Sequence, residues 1–105
     1  MTVDLRGRRA LVTGAAVRLG RAAAVALARA GADVVIHYRS SADQARATVK
    51  DLEACGIRAW AVQADLAVEA EARRVVDEAR GLAGPIDILV NAASVFPKAK
   101  FETFS

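Results

Sequence analysis

A single cysteine, Cys55, excludes a disulfide within the chain and any metal site built from several thiolates, and it fits a reducing compartment. Long apolar runs are missing too. None approaches the ~18 residues that a membrane span requires. The segment from Met1 to Arg9 mixes charges into short apolar stretches where a secretory leader would be continuously hydrophobic. A cytoplasmic location and no membrane partner are therefore expected. Charge of one sign is not segregated: the net charge is +3, from 15 basic and 12 acidic residues. Apart from Arg6, Arg8 and Arg9, acids lie between the bases, so no basic stripe for nucleic acid forms. Internal repeats and low-complexity tracts are absent as well. What the chain does have is 54% hydrophobic and 26% charged residues, far from a disordered composition. Its 105 residues can bury one modest core, which implies one globular unit.

Ala10-Leu11-Val12 is a short apolar run that leaves through Thr13-Gly14, as a strand buried on both faces would. Leu19 to Ala30 carries apolar residues at helical spacing, and Gly31 is its stop signal. Asp33 to Tyr38 reads as a second strand. Ser41, with Gln44 three residues on, predicts a capping box opening a second helix, on which Ala45, Val49 and Leu52 share a face before Gly56. A third strand is expected over Ala59 to Ala64 and a third helix over Val68 to Leu82. Gly84-Pro85 then precedes a fourth strand at Ile86 to Val90. Trp60 is expected in the core and His37 as an ordinary strand residue. Alternating strands and helices of this length predict an α/β, Rossmann-type, doubly wound parallel sheet with strand order 3-2-1-4. In such a sheet ligands bind beyond the carboxyl ends of the strands. Four segments lie there: Thr13 to Leu19, Tyr38 to Ser41, Asp65-Leu66 and Asn91 to Phe96.

The first of these belongs to TGAAVRLG, Thr13 to Gly20. Gly14 permits a tight turn, and free amides around Leu19 and Gly20 at a helix start can receive a pyrophosphate. At the end of the second strand, where NAD-binding proteins usually place an acid, the chain reads His37-Tyr38-Arg39-Ser40-Ser41. Asp33 is at the far end of that strand. Arg39 and the serines offer charge and hydroxyls to a 2'-phosphate, so NADP is the expected cofactor. Ser41 can serve the phosphate, the helix cap, or both.

TGAAVRLG resembles the T-G-x-x-x-G-x-G motif of the short-chain dehydrogenase/reductase family, with Arg18 in place of the middle glycine. Pteridine reductases and their relatives share a T-G-x-x-x-R-x-G version. The resemblance places Arg18 beside the cofactor pyrophosphate and the substrate. It also matches Asp65, in Gln63-Ala64-Asp65-Leu66, to the aspartate that contacts the adenine amino group, with the backbone at Leu66 beside the ring. Asp65 has a second reading, as a helix cap or loop anchor. The segment Asn91-Ala92-Ala93-Ser94 is similar to the family's N-N-A-G. Its small residues pass under the cofactor ribose, and its first asparagine ties neighbouring strands together. Ser94 and Phe96 again resemble pteridine reductases, where the serine contacts cofactor and substrate and the phenylalanine stacks on the pterin. For Phe96, burial in local core is the other reading.

The resemblance therefore identifies residues 1–105 as the N-terminal, NADP-binding half of one reductase domain, truncated before the later strands. Family members carry a serine and a Tyr-x-x-x-Lys pair, the tyrosine donating the proton. The lone tyrosine here, Tyr38, is followed four positions later by Ala42. No catalytic residue is assigned within the chain, and the 105 residues alone are expected not to reduce a carbonyl or imine. No metal site is expected. The intact parent is expected to act on a small molecule, a pteridine first, and to form a homo-oligomer, a tetramer. The alternatives are a 3-oxoacyl carrier or other carbonyl reductase fragment, and a non-catalytic dinucleotide-binding module.

Overall fold

The first strand is entered from arginines and then fills four successive positions with Ala10, Leu11, Val12 and Thr13, each fully buried. Both of its faces are covered by helices. In the computed structural model, which describes residues 3–15 and 18–92, the elements run β1 (Arg9–Thr13), α1 (Arg18–Arg29), β2 (Asp33–Tyr38), α2 (Ala42–Glu53), β3 (Ala59–Gln63), α3 (Glu69–Ala83) and β4 (Ile88–Asn91). The strands form one sheet in the order β3-β2-β1-β4, and every pairing is parallel. This is the Rossmann-type order expected from the sequence.

Alternation along the strands divides the core into two layers. On one face Leu11, Val35 and Val62 meet Ala72, Val75, Ala79 and Ala83 of α3. On the other, Val12, Val34 and Ile36 meet Ala24 and Ala28 of α1 and Ala45 and Leu52 of α2. Burying each large aliphatic of this set contributes about 1.5–3 kcal/mol. α1 ends where Gly31, at φ +104, takes a left-handed conformation open to glycine. Its N–H donates to Ala28 O at 3.0 Å, and Ala32 N–H to Leu27 O at 3.1 Å.

Several expectations shift at their edges. β4 begins at Ile88 rather than Ile86, because Asp87 is committed to the end of β1: its N–H donates to Arg9 O at 2.8 Å, and its carboxylate accepts Arg9 N–H at 3.0 Å. α3 begins at Glu69, with Val68 as its N-cap. The predicted capping box is not formed. Ser41 does hold the N-cap position of α2, but at φ −88 and ψ 64 its side chain makes no cap hydrogen bond. That backbone is outside the extended region from which a hydroxyl reaches the first-turn amides. Trp60 is half-buried, packed against the α3-side core, with the Arg58 guanidinium 5.3 Å from its ring centroid. Among the described residues, no helix is long and apolar enough to cross a membrane.

Candidate functional site

At the carboxyl edge of the sheet, β1 turns out through Gly14, whose φ of +66 explains the glycine there. Arg18, the first residue of α1, has φ +54. A left-handed backbone at a residue with a Cβ costs about 1 kcal/mol, and this is the position where the family motif has glycine. Arg18 and Leu19 are both exposed, Leu19 at 80%. Both residues therefore face solvent at the helix start, where the dipole favours an anion.

β2 delivers Tyr38, half-buried, then Arg39 and Ser40, both exposed, and Ser41 at the start of α2. Asp33, at the other end of the strand, accepts Arg58 N–H at 2.9 Å and pairs with the Arg58 side chain at 3.7 Å. No carboxylate of β2 therefore reaches the exit of the strand. Beyond β3, the Asp65 side chain accepts Ala67 N–H at 3.0 Å, and Val68 N–H donates to Asp65 O at 3.1 Å. Asp65 thus anchors its loop and does not cap α3. Leu66 is 1% exposed, buried in the α3-side core. β4 ends at Asn91, whose Oδ1 accepts the Thr13 hydroxyl at 2.9 Å across the β1–β4 pair. Ala92 N–H donates to Thr13 O at 3.1 Å. Ala93, Ser94 and Phe96 lie outside the described residues.

Hydrogen bonds knit these segments to their neighbours. Ala15 N–H donates to His37 O at 3.0 Å, and Ala64 N–H to Tyr38 O at 3.1 Å. The Gln63 amide donates to Arg39 O at 2.8 Å. Gln63 is held in turn: Arg74 of α3 donates to Gln63 O at 2.8 Å. Two carboxylates grip Arg74, Glu71 through paired bonds of 2.8 and 2.7 Å and Glu78 through a third. The Arg74 guanidinium holds the Glu71 carboxyl below the ordinary glutamate range, and the acids raise Arg74 in return. Gly14, Tyr38, Arg39, Asp65 and Asn91, five of the residues predicted for the site, are thereby brought to one edge.

Sequence reasoning missed Gln63, Arg74 and above all His37. The ring of His37 bridges Gly14 N and Ala64 O at 3.1 and 2.9 Å. Burial is the main cause that pushes its pKa below the ordinary imidazole value, and the hydrogen bond to the Ala64 carbonyl partly opposes it. The available signal was a titratable ring near the carboxyl end of an otherwise apolar strand.

The short chain dehydrogenase family model matches residues 8–105. An L-rhamnose 1-dehydrogenase (NAD(P)(+)) of Sphingomonas sp. is 42% identical over 93 residues, which are 89% of this chain and 37% of that protein. A 3-oxoacyl-(acyl-carrier-protein) reductase of Staphylococcus epidermidis is 38% identical over 86 residues, 82% of this chain and 35% of that protein. A short chain dehydrogenase of Burkholderia cenocepacia, crystallised with NADP, superposes with a TM-score of 0.84 at 48% identity, covering 90% of this chain and 38% of that one. The chain thus spans well under half the length of each of these proteins. With a matched sequence from Arg8 onward and the same sheet underneath it, the chain belongs to the short chain dehydrogenase family.

Proposed function

We propose that the protein carrying this chain is an NADP(H)-dependent reductase, in which these residues hold the adenosine and pyrophosphate end of the cofactor. One observation carries the choice of NADP: the exit of β2 presents Arg39 and Ser40, exposed, beside Ser41, and its one acid, Asp33, is engaged with Arg58 at the opposite end. The donor set fits a doubly charged phosphate, which a guanidinium and hydroxyls can meet with charge-assisted hydrogen bonds. The close approach at the first turn also fits. A Cβ at Gly20 would lie 2.1 Å from Gly14 O, so the first turn of α1 packs directly on the backbone of Gly14 and Ala15.

In this reading Gly14, Arg18 and Leu19 meet the pyrophosphate. Tyr38, Arg39, Ser40 and Ser41 meet the 2'-phosphorylated adenosine, Asp65 and Leu66 the adenine, and Asn91, Ala92, Ala93 and Ser94 the ribose. The cofactor supplies the hydride; the chain's own contribution is to bind and orient it. The NADP complex of the Burkholderia protein supports this assignment. The rhamnose dehydrogenase, named for both NAD and NADP, makes the affinity ratio the decisive measurement. In the full-length protein NADPH should bind about 10–100-fold more tightly than NADH, and Arg39→Ala should abolish most of the difference. Equal affinities in the native protein would reject the assignment.

For the substrate, Arg18 in the T-G-x-x-x-R-x-G pattern, with Ser94 and Phe96 following the fourth strand, favours a pteridine. A 3-oxoacyl thioester is the second reading, favoured by the Staphylococcus relative. Turnover of an acetoacetyl thioester without turnover of dihydropterin or dihydrofolate would remove the pteridine reading. A homo-oligomer, a tetramer in the cytoplasm, completes the proposal.

A further inference from the structure

His37 is the only histidine of the chain, and the family resemblance gives it no role. It is 3% exposed, opposite Val62 in the β2–β3 register. Its ring touches two loops that follow different strands. Nδ1 lies 3.1 Å from Gly14 N, and Nε2 lies 2.9 Å from Ala64 O. A backbone amide can only donate and a carbonyl can only accept, so the contacts fix one tautomer: a lone pair on Nδ1 and the proton on Nε2. The main chain of the same residue continues the clasp, since Ala15 N–H donates to His37 O at 3.0 Å. Gly14 and Ala15 are therefore both pinned to His37, one by its ring and one by its carbonyl.

Among the described residues, the charged and titratable groups next to this clasp are Arg18 after the turn, Tyr38 at the end of β2 and Arg39 after it, Asp65 after Ala64, and Arg74 of α3, which donates to Gln63 O beside Ala64. The Asp65 carboxylate is turned to Ala67 N–H, and among the described residues no ion pair reaches the ring.

Resting on the cofactor reading above, we propose that His37 is a positioning residue for the pyrophosphate turn. Its unprotonated Nδ1 holds the Gly14 amide and its Nε2–H holds Ala64, so the dinucleotide binds tightly only while the ring is neutral. Protonation would set a second N–H against Gly14 N–H. Two donors facing one another at 3.1 Å must separate, and the turn that presents the helix-start amides would open.

The test is NADPH affinity in the full-length native protein, His37→Asn and His37→Leu, followed by cofactor fluorescence from about pH 8 down to about pH 5.5. Asparagine places an acceptor where Nδ1 stood and does not titrate; leucine preserves apolar volume but offers no acceptor. Near pH 8, His37→Asn should bind within about threefold of native, and His37→Leu about tenfold more weakly. The 2'-phosphate of the cofactor takes up its own proton near pH 6 in every case, so the signal is the difference between curves. Native protein should lose about tenfold more affinity than His37→Asn across the range. Parallel curves for native and His37→Asn would overturn the inference, and so would His37→Leu matching native or outperforming His37→Asn, the order that packing alone predicts. If His37→Leu does not fold, the native and His37→Asn curves decide. Native protein that binds NADPH at no pH would overturn the cofactor reading, and this inference with it.

Discussion

Alanine in place of Gly20 and alanine in place of Gly81 should move stability in opposite directions, although both glycines are helical. In an open helix, glycine to alanine stabilises by up to about 1 kcal/mol, because less backbone entropy is lost on folding. Gly81 sits on α3 with nothing within 4 Å of where its Cβ would be. Near the last turn, a gain of about 0.5–1 kcal/mol is expected. At Gly20 the added Cβ would lie 2.1 Å from Gly14 O, 2.8 Å from Gly14 C and 2.9 Å from Ala15 Cα. All three are backbone atoms, so no rotamer change relieves the contact. Ordinary carbon contacts lie near 3.5–4.0 Å, which requires a backbone shift of about 1 Å. The turn cannot drift freely, because Gly14 is bonded to the His37 ring and Ala15 to the His37 carbonyl. Overpacking of this kind costs about 3 kcal/mol or more, against about 1 gained from propensity. Gly20→Ala should therefore lose about 2 kcal/mol or more, separating the two variants by about 3 kcal/mol in urea unfolding followed by circular dichroism. A Gly20→Ala protein as stable as native would refute the close packing of turn on helix from which the argument starts.

Two further expectations concern neighbouring residues. Arg18→Gly removes the Cβ from a residue at φ +54 and should raise unfolding stability by about 1 kcal/mol while weakening NADPH binding about tenfold or more; a loss of stability would show that the conformation carries no strain. The folding stability of the native protein should also fall in mild acid. The pKa of His37 is depressed in the fold, so its stabilising contribution is complete above about pH 6.5 and is lost as pH falls toward and through the lower folded value. Urea midpoints measured at stepped pH should fall more steeply for native than for His37→Asn, and coincident profiles would contradict the clasp.

Strand order was legible because parallel strands covered on both faces must be apolar throughout, and Leu11-Val12 and Val34-Val35-Ile36 have no alternation to mislead. Strand ends were less so. Ile86-Asp87 continues an apolar-looking run, yet Asp87 is diverted to the Arg9 backbone 78 residues away in sequence. The Ser41 capping box failed for a related reason: the bend at Arg39 and Ser40 sets the backbone of Ser41 before its own propensity can act. Of the site, the glycine turn and the absence of an acid after β2 could be read locally. His37 could not. Its two side-chain partners lie 23 and 27 residues away, brought to it by crossovers that only the folded sheet supplies. Arg18 was legible as a departure from a motif, whereas the positive φ that makes the departure costly is a property of the turn.

The polar groups at the carboxyl edge divide into those that hold the loops and those left for a ligand. Thr13, His37, Gln63 and the Asp65 carboxylate are each committed to a backbone or side-chain partner within the edge. Among the described residues, by contrast, no carboxylate pairs with the guanidinium of Arg18 or Arg39, although acids elsewhere pair with Arg6, Arg21, Arg46, Arg58, Arg73 and Arg74. Two cations that no described carboxylate pairs with, at the helix-start end of a parallel sheet, add to the field of the helix dipole, and in the proposed reading an incoming phosphate would meet both. In that reading the backbone of Gly14 and Ala15, held by His37 before binding, would serve any dinucleotide. In the proposed reading, discrimination between dinucleotides falls to Arg39 and Ser40, both exposed, and to Ser41, half-buried at the start of α2. These can change without disturbing the core, because the strand that carries them is anchored through Gln63 and its own main chain.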